Sequence, residues 1–436
     1  MINFFLSALG GVNGNKFNIL LLCLMLSLIL PFAVLPSIFL GILLVTVILE
    51  EIKNPGFKKK SVSCLFFLLF FGYFLLLAIS LVYSSDLVLG IKVLSKKSVF
   101  LLIPIAILLL PKDKISKLFI CRYYLILINT VFVFLIGNAI FRNFIDGYNF
   151  QYLWDRIMGV PAPENHYAYF NYWYFTYHKF TEILKLQPMY LGLFANLGLC
   201  TLYTQHQNRL NASFFLNALS LLTFLSLLSS RTQLILGVFT FILFLLLYNK
   251  QESYKIKIGV LVMVVASVAV VSYINPIAKL RVKEALDYNM SFYSGKFGGT
   301  SLRLKKWDNA MKVIARAPIV GYGIGDYESE LFKQYKADKF YLGYYKKFNA
   351  HNQYLETLLA VGFIGLLCLL ALFFSGFYYA RHNIFLFFTC IIFLIGFATE
   401  SMLSRQSGLF SFTFYMMLAA KFVDSEKEIK LIEVTS

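Results

Sequence analysis

The sequence predicts an all-α polytopic membrane protein with about twelve transmembrane helices and one large, partly helical loop outside the membrane. Two observations predict this fold class. Hydrophobic residues make up 59% of the 436 residues and charged residues 14%, whereas soluble domains carry about 45–50% and about 25%. Apolar runs of about 20 residues, long enough to cross a bilayer, also recur from one end of the chain to the other.

Twelve apolar segments account for the predicted helices. They lie near 17–32, 34–49, 62–83, 98–110, 116–141, 187–204, 212–229, 232–248, 257–275, 352–379, 383–400 and 406–422. Short connections on one side, such as "EIKNPGFKKK" and "NKQESYKIK", are rich in Lys and Arg, and this bias marks the cytoplasmic side. We therefore expect both termini in the cytoplasm and the two long connections, 142–185 and 276–350, outside.

This topology divides the chain into six regions. They are N-terminal transmembrane helices (1–141), an aromatic-rich outer loop (142–185), transmembrane helices with Arg231 at the outer face (186–275), a large basic outer loop (276–350), C-terminal transmembrane helices (351–423) and a cytoplasmic tail (424–436). The aromatic loop suits a belt at the membrane interface, and stacking against sugar faces is the alternative.

The net charge of +18 indicates anionic partners. No basic domain stands apart from the apolar segments, so we expect no nucleic acid and favour the lipid bilayer and an anionic substrate. Loop 276–350 holds 14 Lys and Arg against 7 Asp and Glu. We expect it to hold the anionic substrate, with a merely solvated loop as the alternative. The six cysteines lie within apolar runs and lack metal-ligand spacing, so we expect no metal and no other cofactor.

A helix is predicted inside the basic loop, in "SLRLKKWDNAMKVIARAP". Leu304, Trp307, Met311 and Ile314 recur at helical spacing and form one apolar stripe. A basic amphipathic helix of this kind can lie in the membrane interface. This arrangement would hold Arg303 near the headgroups, and a loop helix packed on the bundle is the alternative.

The segment "GYGIGDY" follows this helix. Gly321 and Gly323 stand two residues apart, with no helix at the spacing that a nucleotide fold needs. We therefore expect these glycines to allow a tight turn or a close approach of the backbone.

His351 stands where the basic loop meets an apolar helix. Asn349 could cap that helix, which would place His351 in the first turn. The positive end of the helix dipole would then keep the imidazole neutral and able to accept a proton. The sequence leaves open whether His351 is a general base or an interfacial anchor.

Two short outer connections carry the remaining candidates. Arg231 lies between two apolar segments, where a cation needs an anionic partner and where Arg matches phosphate geometry. Snorkelling to the interface is its alternative role. In the connection near 400–408, Glu400 and Arg405 could pair with each other.

These pieces, in this order, resemble the O-antigen ligase and O-antigen polymerase superfamily. The resemblance runs from "SSRTQLILG" through "RLKKWDNAMKVIARAPIVGYGIGDY" to "HNQYLETLLAVGFIG". Ligases of this family show a His followed by Asn, Ser or Gln, then nine residues and Gly-x-x-Gly. His351, Asn352, Gly362 and Gly365 match that pattern. Ligases often continue with two threonines, and the leucines at 366–367 leave ligase and polymerase open.

The resemblance implies a metal-independent membrane glycosyltransferase at the periplasmic face of the bacterial inner membrane, acting in lipopolysaccharide or exopolysaccharide biosynthesis. Its donor would be a glycan on undecaprenyl diphosphate, and its acceptor a lipid or glycan hydroxyl. By resemblance, Arg231 and Arg303 bind the diphosphate and His351 activates the acceptor, with possible support from Asn352, Gly321 and Gly323. Three functions remain open, namely a ligase, a repeat-unit polymerase and a non-enzymatic carrier or flippase.

Overall fold

The computed structural model describes residues 16–54, 61–146, 171–206, 210–247, 253–274 and 299–435, and these residues form helices and no strands. The helices are α1 Lys16–Ser27, α2 Leu35–Lys53, α3 Val62–Ile79, α4 Leu87–Lys97, α5 Val99–Leu109, α6 Lys117–Ile145, α7 Tyr177–Thr181, α8 Pro188–Gln205, α9 Ala212–Leu227, α10 Arg231–Leu247, α11 Tyr254–Ile274, α12 Gly299–Ile314, α13 Tyr327–Ala337, α14 Tyr341–Tyr345, α15 Gln353–Tyr379, α16 Ile384–Thr399 and α17 Gln406–Thr435. The all-α class is confirmed.

Each of the twelve predicted apolar segments overlaps one of these helices. Four helices of the described part are long and apolar enough to cross a membrane, and a fifth candidate is the bent pair formed by Tyr177–Leu184 and Pro188–Gln205. Shorter apolar helices account for Lys16–Ser27, Ala212–Leu227, Arg231–Leu247 and Ile384–Thr399. The number twelve and the sidedness of the long loop therefore stay predictions.

The chain forms two compact units. The first contains residues 1–28, 32–120 and 284–436, and the second contains 29–31 and 121–283. In the first unit α3 packs against α5, α15 and α17. Aromatic rings fill the space between these helices, with the Phe70 ring 5.8 Å from that of Phe100 and 5.6 Å from that of Phe412. All three side chains are buried, and they fix the helices that carry the site.

Polar contacts gather at the end of the first unit where α3 begins. The Asp424 carboxylate accepts hydrogen bonds from the backbone N–H groups of Val62 at 2.8 Å and Ser63 at 3.0 Å. The Glu50 carboxylate binds Lys16 at 2.9 Å and also binds Lys114. All of these residues adjoin connections that the Lys and Arg bias predicts to be cytoplasmic, and the sidedness of this end stays a prediction.

The candidate residues of the first unit lie at the other end of α3. An 18-residue helix rises roughly 27 Å along its axis, which separates the two ends of this unit. At the far end, the Asp326 carboxylate accepts from the backbone N–H groups of Ser85 at 2.5 Å and Asp86 at 3.0 Å. These bonds tie the segment after Gly323 to the turn that follows α3.

In the second unit α8, α9 and α10 pack together. Buried amides join two of these helices, because Asn196 donates to the side-chain oxygen of Gln233 at 2.8 Å. Gly192 lies directly against this contact, since a Cβ there would stand 2.8 Å from the Gln233 side chain. The helices therefore pack closely where the side chains are small.

The apolar stripe of α12 is divided between the protein surface and the interior. Leu304 is 37% exposed and Met311 is 53% exposed, whereas Ile314 is buried, as are Lys306 and Asn309. The helix packs against α15, and its buried side chains include polar as well as apolar ones. Apolar spacing alone cannot select the inward face when a polar site lies beneath the helix.

Candidate active site

His351 and Glu400 form a contact pair at the head of α15. The Nδ1 atom of His351 lies 3.0 Å from the Oε2 atom of Glu400. Glu400 follows α16 directly, so the pair joins the segment before one helix to the segment after another. Glu400 does not pair with Arg405 as the sequence suggested, because its carboxylate faces His351 instead.

Asn352, rather than Asn349, caps α15. Its side-chain oxygen accepts from the backbone N–H groups of Tyr354 at 2.9 Å and Leu355 at 3.2 Å. The placement of His351 in the first turn is therefore wrong, because His351 precedes the cap. The Asn349 side chain instead accepts from the backbone N–H of His351 at 3.2 Å.

A second set of contacts anchors this turn to the end of α16. The Asn352 amide donates to the carbonyl of Ala398 at 3.1 Å, and its backbone N–H donates to the hydroxyl of Ser401 at 3.2 Å. His351 itself has a φ of +48°, a left-handed conformation that is uncommon for a residue with a side chain. Asn352 thus acts as a positioning residue for the histidine beside it.

The pair has a defined chemical capability. When the imidazole is neutral and Nδ1 carries the hydrogen, Nδ1–H donates to Glu400 and the lone pair is on Nε2. A carboxylate in this position fixes the tautomer and stabilises the imidazolium that forms when Nε2 accepts a proton. This arrangement suits a general base. Sequence reasoning named Glu400 but missed its contact with His351, because 49 residues separate the two.

Arg303 and Lys306 supply positive charge from α12. They are three residues apart, so they share one face of the helix. Lys306 is only 3% exposed and its Nζ lies 4.0 Å from the centre of the Phe348 ring. Burial lowers the pKa of Lys306 to about 8, the charge of Glu400 opposes this shift, and the charge of Arg303 adds to it.

Lys306 therefore links the cations of α12 electrostatically to the His351–Glu400 pair. Among the described residues it forms no ion pair with a carboxylate. A desolvated cation without an anionic contact is costly, and an anionic ligand at this place would remove that cost. The sequence suggested Arg303 for such a ligand and did not single out Lys306.

The predicted close approach at the glycine segment is present and involves a kink in α15. The kink lies at Val361 and Gly362, where the backbone is not helical. The carbonyls of Leu359 and Ala360 accept from the backbone N–H groups of Tyr322 and Gly323, each at 2.8 Å. The backbone groups that the kink frees are therefore paired with the incoming segment.

Glycine is required at three positions of this contact. Gly362 has a φ of +62°, and a Cβ there would stand 2.1 Å from the carbonyl oxygen of Ile319. Gly321 has a φ of +69°, and a Cβ there would stand 2.7 Å from the backbone of α15. Gly323 has a φ of +81°, and a Cβ there would stand 2.1 Å from the hydroxyl of Ser84. These glycines act through the backbone by fastening the basic loop to α15.

Arg231 is the first residue of α10 and lies in the second unit. It follows a sharp turn in which Ser229 has a φ of +51°. The hydroxyls of Ser229 and Thr176 lie 2.8 Å apart and hold this turn against the segment before α7. Arg303 and His351 belong to the first unit, so a meeting of Arg231 with them stays a prediction.

Comparison with known proteins identifies the region that contains these residues. An uncharacterized protein of Haemophilus influenzae is 29% identical over 118 residues, which is 24% of this chain and 30% of that protein. The chain thus spans about a third of the length of the relative that it matches. Residues 216–370 match the family described as O-antigen ligase. This range contains Arg231, Arg303 and His351, so the three residues that the sequence singled out lie within the matched region.

Proposed function

We propose that the protein transfers a glycan from undecaprenyl diphosphate to an acceptor sugar hydroxyl at the periplasmic face of the inner membrane, as a ligase. The observation that carries the proposal is the His351–Glu400 contact of 3.0 Å beside the buried cation of Lys306. A base and a cationic surface are the two parts that this transfer needs.

In the proposed step the acceptor oxygen bonds to the anomeric carbon of the donor glycan. The hydroxyl proton passes to Nε2 of His351 as that bond forms. The bond from the anomeric carbon to the diphosphate oxygen breaks, and its electron pair leaves on undecaprenyl diphosphate. Direct displacement of this kind inverts the configuration of that carbon.

In this proposal one set of side chains serves as the base and another stabilises the leaving group. General-base help contributes typically 10²–10⁴-fold in rate, and Glu400 stabilises the imidazolium. Arg303, Lys306 and Arg231 would bind the diphosphate and stabilise the charge that develops on it. Arg also offers a bidentate fork for phosphate oxygens, so Arg231→Lys should keep part of the activity and Arg231→Ala should lose most of it.

The test is transfer by the purified full chain with a defined undecaprenyl-diphosphate-linked donor and a sugar acceptor. Product size distinguishes the enzymes, because a ligase gives one transfer per acceptor and a repeat-unit polymerase of the same superfamily gives a ladder. His351→Gln should fold, insert and transfer at least 100-fold more slowly, in line with the general-base factor of about 10²–10⁴.

Two results would count against this proposal. A carrier or flippase would tolerate the loss of His351, so near-normal function of His351→Gln would reject an enzyme that uses this base. A product with retained anomeric configuration would reject the single displacement and require a covalent intermediate instead.

A further inference from the structure

Six residues between α16 and α17 form the loop that carries Glu400. The backbone N–H of Met402 donates to the carbonyl of Glu400 at 3.0 Å. The backbone N–H of Ser404 donates to the carbonyl of Ser401 at 3.2 Å. These bonds make the loop a tight turn, so a contact that fixes Ser404 also limits the movement of Glu400.

Leu403, in the middle of this loop, is held on both sides by side chains of two helices. The side-chain oxygen of Gln353, in the first turn of α15, accepts from the backbone N–H of Leu403 at 2.8 Å. The ammonium of Lys97, the last residue of α4, donates to the backbone carbonyl of Leu403. Leu403 and Gln353 are buried, and a hydrogen bond away from water is electrostatically stronger than one in water.

Glu356, one turn further along α15, holds the next residue of the loop. Its Oε1 atom accepts a hydrogen bond from the hydroxyl of Ser404. The same oxygen accepts a hydrogen bond of 3.2 Å from the hydroxyl of Tyr327 in α13. Glu356 is 3% exposed, and it joins the loop to α13 as well as to α15.

The burial of this carboxylate is costly. Within the described part of the chain its hydrogen-bond donors are hydroxyl groups, and a desolvated carboxylate without a contacting cation is unfavourable. Lys97 offsets part of this cost from a distance. Burial lowers the pKa of Lys97 to about 8, and the charge of Glu356 opposes this shift. Two opposite charges therefore act on neighbouring residues of one loop.

The contacts of Glu356 separate it from the proposed base. Among the described residues, it is Glu400 that faces the imidazole of His351, at 3.0 Å. Glu356 instead binds the loop at Ser404, four residues beyond Glu400. An effect of Glu356 on the base must therefore pass through the loop.

We propose that Glu356 is a positioning residue, which holds the loop between α16 and α17 so that Glu400 stays against His351. This inference rests on the proposed function. In this role Glu356 acts as a hydrogen-bond acceptor, so the role needs its oxygen atom and not a titratable proton. The alternative is that Glu356 itself carries the proton, which needs the carboxyl group.

Two substitutions of Glu356 distinguish these roles. Glu356→Gln keeps an oxygen acceptor in the same place, so kcat should stay within about threefold. Glu356→Leu removes the acceptor, so kcat should fall about tenfold, and by no more than in Glu400→Gln. The KM values for donor and acceptor should stay unchanged, because the loop acts on the base and not on substrate binding.

Ser404→Ala tests the same contact from the other side and keeps the test decisive if Glu356→Leu does not fold. Ser404 is exposed, so the loss of its hydroxyl leaves the core intact, and kcat should fall about three- to tenfold. Ser329→Ala is the matched control. Ser329 is also exposed, and its hydroxyl donates to the nearby carbonyl of Asp326 at 2.8 Å, so this variant should transfer glycan at the unchanged rate.

Acylation of His351 by diethyl pyrocarbonate, measured by mass spectrometry on the full chain, reports on the pair without donor or turnover. The reagent attacks a neutral imidazole nitrogen, and the other four histidines of the chain are internal references. Glu400→Gln should slow the reaction of His351 severalfold, because no carboxylate then directs the lone pair to Nε2. Glu356→Leu and Ser404→Ala should also slow it, whereas Glu356→Gln should not.

Three outcomes would overturn the inference. A loss of kcat in Glu356→Gln as large as that in Glu356→Leu would assign a proton-carrying role to Glu356. Losses that multiply when Glu356→Leu is combined with Glu400→Gln would show independent roles, since residues that act through one contact are not additive. Unchanged acylation of His351 in Glu356→Leu and Ser404→Ala would show that the pair does not depend on this contact.

The two measurements separate this inference from the proposed function. If the unchanged chain transfers glycan and Glu356→Leu transfers it equally well, the inference fails and the proposed function stands. If acylation of His351 depends on Glu356 and Glu400 but no glycan is transferred to any acceptor, the proposed function fails and the positioning of the pair by Glu356 stands.

Discussion

Glu400→Gln tests the proposed site most directly, because it removes the charge that faces His351 and keeps the size of the side chain. A hydrogen bond with a charged partner contributes about 1.5–3 kcal/mol. Each 1.36 kcal/mol of transition-state stabilisation is tenfold in rate, so the full contact corresponds to about 10- to 160-fold. The His351 side chain is 30% exposed and that of Glu400 is 14% exposed. Because solvent screens such a pair, we expect a loss of about 10- to 30-fold.

The assay is glycan transfer per folded protein, measured for Glu400→Gln, His351→Gln and the double variant. If Glu400 acts through His351, the double variant should be no slower than His351→Gln alone, because residues that act as a unit are not additive. Glu330→Gln is the control, since Glu330 pairs with Lys333 at the surface. The reasoning would be refuted by an unchanged rate in Glu400→Gln or by losses that multiply in the double variant.

Three further predictions concern charge, backbone and topology. The pKa of Lys306 is lowered to about 8, so kcat/KM should fall as pH rises through 8, because the ammonium charge is then lost. Lys306→Arg keeps its charge and should therefore extend activity to higher pH. An unchanged pH profile in Lys306→Arg would exclude this role. The unfolded chain binds more protons than the folded one above that pKa, so the free energy of unfolding should rise there while activity falls. Gly362→Ala should lower thermal stability and activity, because the backbone of Gly362 has a φ of +62° and a ψ of −161°, a conformation that costs other residues about 1–3 kcal/mol. The control variant Gly72→Ala should change neither. Alkaline phosphatase fused after residue 298 should be active and after Lys421 inactive, and the reverse pattern would place the site in the cytoplasm.

The sequence alone determined which parts of the chain are helical in the membrane region. Each of the twelve apolar runs became a helix because a run without polar residues can bury itself only by satisfying its backbone hydrogen bonds internally. The resemblance to the O-antigen ligase family could also be read from the sequence, because the spacing from His351 to Gly362 and Gly365 lies within one continuous segment, and residues 216–370 match that family. The sequence also predicted the need for glycine at Gly321 and Gly323, because a tight turn depends on the local backbone conformation.

Other features depended on residues that are far apart in the chain. The partner of His351 could not be predicted, because Glu400 reaches it only when the end of α16 folds back beside the head of α15. The sequence assigned the cap of α15 to Asn349 instead of Asn352, because asparagine is a good cap at either position. The contacts of Asn352 with Ala398 and Ser401 favour Asn352, and the sequence does not show them.

The inward face of α12 is the clearest case of a choice made by tertiary structure. Its spacing predicted one apolar stripe, yet Leu304 and Met311 of that stripe are exposed, whereas Ile314 and the cation of Lys306 are buried. Helical periodicity states which residues share a face, but the surface beneath the helix decides which face turns inward. Here that surface carries Glu400, whose charge favours a cation near it.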